Sequence, residues 1–260
     1  MVEIHPSAIV HPKAKLGTDV VVAPYAIIEE KTEIGDGSVI GPHAIIASGS
    51  TLGKGCKISA GAVIGTEPQD LKFANEETFV IIGDHTTVRE YATVNRGTSH
   101  SYYTRVGKNC FIMTYSHIAH DCQLGDNVVI ANSVNMAGHV IIGNNVGVGG
   151  LTAIHQFVHI GPHAFIGGGL RVSQDIPPFV LAAGEPLRYA GLNSVGLRRR
   201  GFTREQLETI KKAYNVVYRE NLTLKNAIKK IEENFEHTPE IETILEFLKG
   251  SERGIIRPEK

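Results

Sequence analysis

Aliphatic residues recur at every sixth position along most of the chain. From Ile4 the sequence steps through Val10, Leu16, Val22, Ile28, Ile34, Ile40, Ile46, Leu52, Ile58 and Ile64. After a break it resumes in the same phase at Ile82, Val88 and Val94. After a second break it runs from Val106 through Ile112, Ile118, Leu124, Ile130, Met136, Ile142, Val148, Ile154, Ile160 and Ile166 to Val172. A helix repeats about every 3.6 residues and a strand about every two, so neither alone gives this period. The residue after the aliphatic is often glycine, as in "IGDGSV", "LGKGCK" and "IGNNVG". The fourth residue after it is small or β-branched, as at Ala8, Ser38, Ala62 and Val128.

This is the hexapeptide-repeat signature, and over residues 4–180 it resembles the left-handed parallel β-helix family. Three hexads make one triangular coil, with the aliphatic inside and glycine or small residues at the tight corners. The pattern therefore predicts a mainly β solenoid over residues 1–185, with insertions near 66–81 and 96–105 where the hexads stop. Insertions in a solenoid mark a functional face. A small helical domain is expected over 186–260. Thr203 and Gln206 form a capping box before "REQLETIKKAYNVVYRE", a second helix covers "LKNAIKKIEENF", and Thr238-Pro239 opens a third.

Composition removes several function classes. The 260 residues carry a formal net charge of −1, so no field draws nucleic acid to the whole surface. No apolar run approaches the ~20 residues of a membrane span, and the N-terminus lacks a signal-peptide pattern, so a cytoplasmic protein is expected. Cys56, Cys110 and Cys122 all fall on the small interior position of a hexad and read as packing.

Between 106 and 172 the register is unbroken, so residues eighteen apart stack in one column, coils being about 4.8 Å apart. His120 lies below Gly138, which lies below Gln156; Asp121 lies below His139; His155 is in the next column. His120 beside Asp121 suits a general base, since imidazole titrates near neutrality and a carboxylate fixes its tautomer. Neighbouring strand residues point oppositely, so this pairing needs a corner conformation. Gly138 offers a backbone N–H to a developing oxyanion. No serine or cysteine is placed as a nucleophile, which favours direct transfer in a ternary complex. A competing reading makes His117, His120 and a third histidine one coil away a zinc site, as in hexapeptide-repeat carbonic anhydrases. A second column, Asn132, Gly150 and Gly168, has almost no side chains and fits either structural slack or a channel for a long apolar chain. Gln69, Asp70 and Lys72 cluster in the first insertion, which by itself reads as a solvated loop.

The segments "QDLKFA", "HIAHDC", "MAGHV", "AIHQF", "QDIPPF" and "GLRRRGF" occur in the order and spacing of the UDP-N-acetylglucosamine O-acyltransferases. The resemblance covers nearly the whole chain. It implies transfer of a 3-hydroxyacyl group from acyl carrier protein to the glucosamine 3-hydroxyl of UDP-N-acetylglucosamine, the first step of lipid A biosynthesis. It further implies a homotrimer with sites between subunits, and neither cofactor nor metal. Carried over by motif, His120 is the base, Asp121 its partner and Gly138 the oxyanion donor. Asp70, Lys72, His117, His139 and Gln156 surround the sugar, while Gln69, His155, Asn193, Arg199 and Arg200 hold the UDP portion. The strip of Asn132, Gly150 and Gly168 becomes the acyl groove. Arg188, Arg198 and Arg204 are placed to steer an acidic carrier protein. Asn95 (where the family commonly has histidine), Leu170, Arg171 and Val195 depart from the family pattern, leaving acyl length open and a 3-amino acceptor conceivable. A related N-acyltransferase carries an extra N-terminal uridine-binding domain, against which hexads beginning at Ile4 argue. An inert trimeric scaffold is the remaining alternative.

Overall fold

The computed structural model describes residues 1–258; the last two residues of the expected helical domain lie outside it. Most strands are two residues long, and they stack into three sheets of eleven, nine and eight strands among the described residues, parallel except for the last pair of the eleven-stranded sheet. The chain visits the sheets in turn, so each coil is a triangle and each sheet one face of a left-handed prism. We call the faces A, B and C, in the order in which a coil meets them: Phe111–Ile112 lies on A, His117–Ile118 on B and Gln123–Leu124 on C. Residues eighteen apart are paired, as in His117 with Asn135 and Ile118 with Met136. The hexad aliphatics point inward and fill the prism; Ile40, Ile46, Ile64, Ile82, Ile112 and Ile130 are fully buried. Each such side chain contributes about 1.5–3 kcal/mol through removal from water.

Glycine takes the left-handed corner conformation at some turns, such as Gly37, Gly55 and Gly61, but not at most. The left-handed backbone conformation falls on residues such as Tyr91, Asp121, His139 and Leu151, all with φ near +60°. Many hexad glycines serve close approach instead: a Cβ on Gly107 would sit 2.4 Å from the Gly125 carbonyl oxygen of the next coil.

The two insertions are shorter than the hexad breaks. Val63–Thr66 on face B is joined to Phe79–Ile82 on face C by residues 67–78, and Thr93–Asn95 to Tyr103–Val106 by residues 96–102. Ile82 consequently pairs with Leu52, thirty residues back, and with Val106, twenty-four ahead. Both insertions therefore leave the prism at its B–C edge.

Beyond the last coil the chain departs from the expected boundary. Val180–Ala183 continues face A, and Arg188–Leu192 adds to it as an antiparallel strand inside the segment expected to be helical. Four helices follow: α1 (Ser194–Arg199), α2 (Arg204–Arg219), α3 (Leu224–Asn234) and α4 (Pro239–Gly250). Helix α1 is not legible in the sequence pattern. Thr203 and Gln206 form the reciprocal capping box of α2, and Thr238 caps α4 with proline in its first turn. The helices dock on the solenoid through the buried Tyr214, whose hydroxyl donates to the Pro178 carbonyl at 2.7 Å. Buried Asp175 accepts from Ser251 Oγ at 2.7 Å and from the His159 amide at 2.8 Å, pinning the C-terminal segment to the last coils.

Candidate active site

Residues 119–122, 137–140 and 155–158 are successive B–C corners, directly above the two insertions. Asp121, His139 and Phe157 all adopt left-handed conformations, with φ of 60°, 63° and 62°. Aspartate tolerates this region better than most side chains. The turn rotates Asp121 beside its sequence neighbour instead of across the strand. His120 Nδ1 lies 2.7 Å from Asp121 Oδ2, with the carboxyl group fully buried and the imidazole 11% exposed. The Asp121 amide donates to Thr104 Oγ1 at 2.9 Å.

The insertion at 96–102 encloses the carboxylate. Thr98 Oγ1 donates to Oδ2 at 2.7 Å and the Thr98 amide to Oδ1 at 3.1 Å. The Ser101 amide donates to Oδ1 at 3.2 Å, and the Ser101 hydroxyl reaches the same oxygen. Burial opposes ionisation of Asp121, but the hydrogen bonds from His120, Ser101 and Thr98 outweigh it and hold the carboxyl well below the usual carboxylate range.

An ionised Asp121 next to Nδ1 fixes the proton of His120 on that nitrogen and leaves Nε2 with a free lone pair. Nε2 lies over Gly138: a Cβ there would be 2.7 Å from Nε2 and 2.5 Å from Cε1, so any larger residue would push the imidazole aside. Among the described residues the Gly138 amide donates to no protein acceptor. One coil up, His139 stacks on Phe157 with centroids 4.4 Å apart and meets His120 edge-on at 5.1 Å. Burial lowers the His139 pKa, while the charges of Asp121 and Asp70 oppose that shift. His117 is half-buried on face B, its Nδ1 2.7 Å from Thr93 Oγ1, with its pKa lowered by burial and by His120. Cys122 is buried, its thiol pushed up to about 12 by burial, which leaves no nucleophilic thiolate near neutral pH.

The corner thus gathers His120, Asp121, Gly138, His139 and Gln156 in stacked turns, with His155 adjacent and Asp70 within electrostatic reach of His139. Gln69 and Lys72 are exposed on the same insertion as Asp70. Among the described residues, the competing zinc set of His117, His120 and a third histidine is not brought together. His117 lies on the flat strand, bonded to Thr93, while His120 is on the turn. The group whose ligand atoms approach within 4.8 Å is His120, Asp121 and His139, and the Asp121 oxygens in it are already held by Thr98 and Ser101.

The other expected residues occupy different edges of the same prism. Asn193 caps α1, accepting from the Gly196 amide at 3.2 Å and donating to the His163 carbonyl at 2.9 Å. Arg200 donates to Asn145 Oδ1 at 2.6 Å. With Arg199 and exposed Val195 they line a groove of about 780 Å³ along face A, at the edge shared with face C. Asn132, Gly150 and Gly168 mark the third edge, between A and B; the Gly168 Cα side faces the Gly150 carbonyl, 3.0 Å from a hypothetical Cβ. Leu170 and Arg171 border a separate pocket at the end of the solenoid, with Gln174, Glu185 and Ile256. Asn95 is buried, its amide donating to Thr66 Oγ1 at 3.0 Å. Thr98, Ser101 and Thr104 escape the sequence reading because the insertion breaks the register that aligns the other residues.

Comparison with known proteins gives this arrangement a family. A family model described as "Udp N-acetylglucosamine O-acyltransferase; Domain 2" matches residues 175–256. A second, "Bacterial transferase hexapeptide (six repeats)", matches 31–66 and 103–138. The acyl-[acyl-carrier-protein]–UDP-N-acetylglucosamine O-acyltransferase of Myxococcus xanthus is 45% identical over 99% of this chain and 100% of its own length. The enzyme of that name from a Janthinobacterium species is 48% identical over 98% and 99%. The chain belongs to the UDP-N-acetylglucosamine O-acyltransferase family. It is an acyltransferase. The crystal structure of a family member from Bacteroides fragilis superposes with a TM-score of 0.96 at 44% identity, over 98% of this chain and all of that one.

Proposed function

We propose that this enzyme transfers a 3-hydroxyacyl group from acyl carrier protein to the 3-hydroxyl of UDP-N-acetylglucosamine, with His120 as general base. The reaction opens lipid A biosynthesis. The single observation that carries the mechanism is the buried, four-donor Asp121 carboxylate beside His120 Nδ1. It leaves Nε2 as the only basic nitrogen of that ring, turned toward Gly138. The acceptor hydroxyl gives its proton to Nε2 as its oxygen attacks the acyl thioester carbonyl. The Gly138 amide donates to the oxyanion of the tetrahedral intermediate. The C–S bond then breaks, and the imidazolium returns the proton to the departing thiolate.

Asp70, Lys72, His117, His139 and Gln156 surround the sugar in this reading, and Gln69, His155, Asn193, Arg199 and Arg200 hold the UDP portion, guanidinium groups suiting its diphosphate charge. Asn193, Arg199 and Arg200 stand on a different prism edge from His120, which supports a site completed by a second copy and hence the homotrimer. The column Asn132, Gly150 and Gly168 supplies the acyl groove, and the half-exposed strip is consistent with an apolar chain lying along it. No described helix is long and apolar enough to cross a membrane. Three buried free cysteines are in keeping with a reducing, cytoplasmic setting.

The test is incubation with UDP-N-acetylglucosamine and a series of 3-hydroxyacyl carrier proteins, with products identified by mass. An O-acylated nucleotide sugar is expected; stoichiometric zinc with no acylated product would overturn the reading. His120→Ala is expected to lower kcat by about 10²–10⁴-fold with the native mass retained.

A further inference from the structure

We propose that Thr98 and Ser101 are positioning residues of the acyl-transfer site, clamping Asp121 so that it holds His120 in its reactive orientation. The inference rests on the general-base reading of His120. Asp121 has no exposed side-chain surface, and a carboxylate so placed protonates or rotates unless its oxygens are bonded. His120 satisfies one oxygen only on one side. The remaining donors all come from two residues of one insertion, each giving both its backbone amide and its hydroxyl.

The hydroxyl protons are directed. Thr98 Oγ1 accepts from the His100 amide at 3.2 Å, so its own proton is free to point at Oδ2. Ser101 Oγ has the Tyr103 carbonyl at 2.9 Å as an alternative acceptor, and the charged carboxylate is the stronger of the two. The solenoid itself does not need this loop: the corners at 137–140 and 155–158 turn without an insertion. The same loop also receives the neighbouring insertion, through the Ser99 amide donating to Glu76 Oε1 at 3.0 Å. The loop carrying Asp70 and the loop holding Asp121 are thereby joined at the edge where His120 stands.

The experiment compares Thr98→Val, Ser101→Ala and the double variant with the wild type, in kcat, in KM for both substrates and in Tm. Thr98→Val keeps the shape and removes the hydroxyl. The double variant is expected to lose about 10- to 100-fold in kcat, the worth of one or two hydrogen bonds to a charge, with KM changed less than about threefold. Thr98→Ser should restore the single-variant loss. In an Asp121→Asn background the double substitution should cause no further loss, because the residues act through that carboxylate. A folded double variant with wild-type kcat overturns the clamp, as does an undiminished loss in the Asp121→Asn background. His120→Ala separates the two readings: if it is inactive while the double variant is normal, the clamp alone fails. If His120→Ala keeps a near-normal rate, the base assignment fails and the clamp with it.

Discussion

Two corners of the same prism carry histidine in nearly the same setting. His139, between faces B and C, and His163, between C and A, both adopt left-handed backbone with φ of 63° and 61°. Each stacks on the aromatic ring one coil above, Phe157 for His139 and Phe179 for His163, and each has a buried Nδ1 without a hydrogen-bond partner among the described residues. What differs is the residue eighteen positions earlier. Beneath His139 is Asp121, whose carboxylate is 3.9 Å from the ring nitrogen. Beneath His163 is Asn145, a neutral amide 3.4 Å from Nε2 that also accepts from Arg200. One corner is therefore anionic and surrounds a basic imidazole. The other is a cationic rim in which histidine stays neutral, its pKa pushed down to about 4 by burial and by Arg200. The solenoid supplies nearly the same backbone geometry at both corners. The residue one coil below, with the 96–102 insertion at one corner and Arg200 at the other, sets the chemistry.

Asp121→Asn makes the first corner resemble the second and should have the largest effect of the substitutions that probe this contrast. The Asn amide nitrogen would face the Thr98 and Ser101 groups that donate to the carboxylate, and the tautomer of His120 would lose its fixing charge. A kcat loss of about 10²-fold or more is expected, with KM for the nucleotide sugar changed far less. Steady-state kinetics below the lowered Tm measure it. A variant with unaltered kcat would remove the carboxylate from the mechanism.

Arg200→Ala removes the cation from the second corner instead. A nucleotide role predicts KM for UDP-N-acetylglucosamine raised about 10-fold or more with kcat within about threefold, since the guanidinium binds ground state and transition state alike. A selective fall in kcat would instead put Arg200 at the reacting atoms. The pair of variants thus asks whether catalysis and nucleotide binding are divided between the two edges.

This contrast also explains what the sequence could reveal. The period of six carries the fold because every interior position must accept one aliphatic, so Ile112 and Ile166 announce their neighbours without any tertiary information. The same unbroken register places His120 under Gly138 and Asp121 under His139. It is lost at Thr98 and Ser101, where six extra residues between Val94 and Val106 detach side-chain position from column. It is lost again after Val172. The six-residue helix α1 is too short to show a periodic apolar stripe, and the strand Arg188–Leu192 is neither strongly alternating nor free of glycine. Motif resemblance therefore groups Asn193, Arg199 and Arg200 with residues that one chain keeps on another edge.

The smallest expected effect is on the neutral histidine. Unfolded His163 takes up a proton as pH falls through 6.5, whereas folded His163 resists it until about 4. Its contribution to stability is fully present above 6.5 and is lost across the window down to about 4, because the unfolded state binds the extra proton there. His163→Phe keeps a ring between Phe179 and Phe202 and abolishes that titration. The unfolding free energy of the variant should consequently fall less steeply with decreasing pH in this window than that of the wild type, measured by denaturant titration at a series of pH values. Asn145→Asp supplies the complementary change: a carboxylate below the ring and beside Arg200 should raise the His163 pKa, read from the Cε1–H resonance. Parallel pH slopes in wild type and His163→Phe, together with an unmoved resonance in Asn145→Asp, would mean that the column position does not set the charge state of the histidine above it.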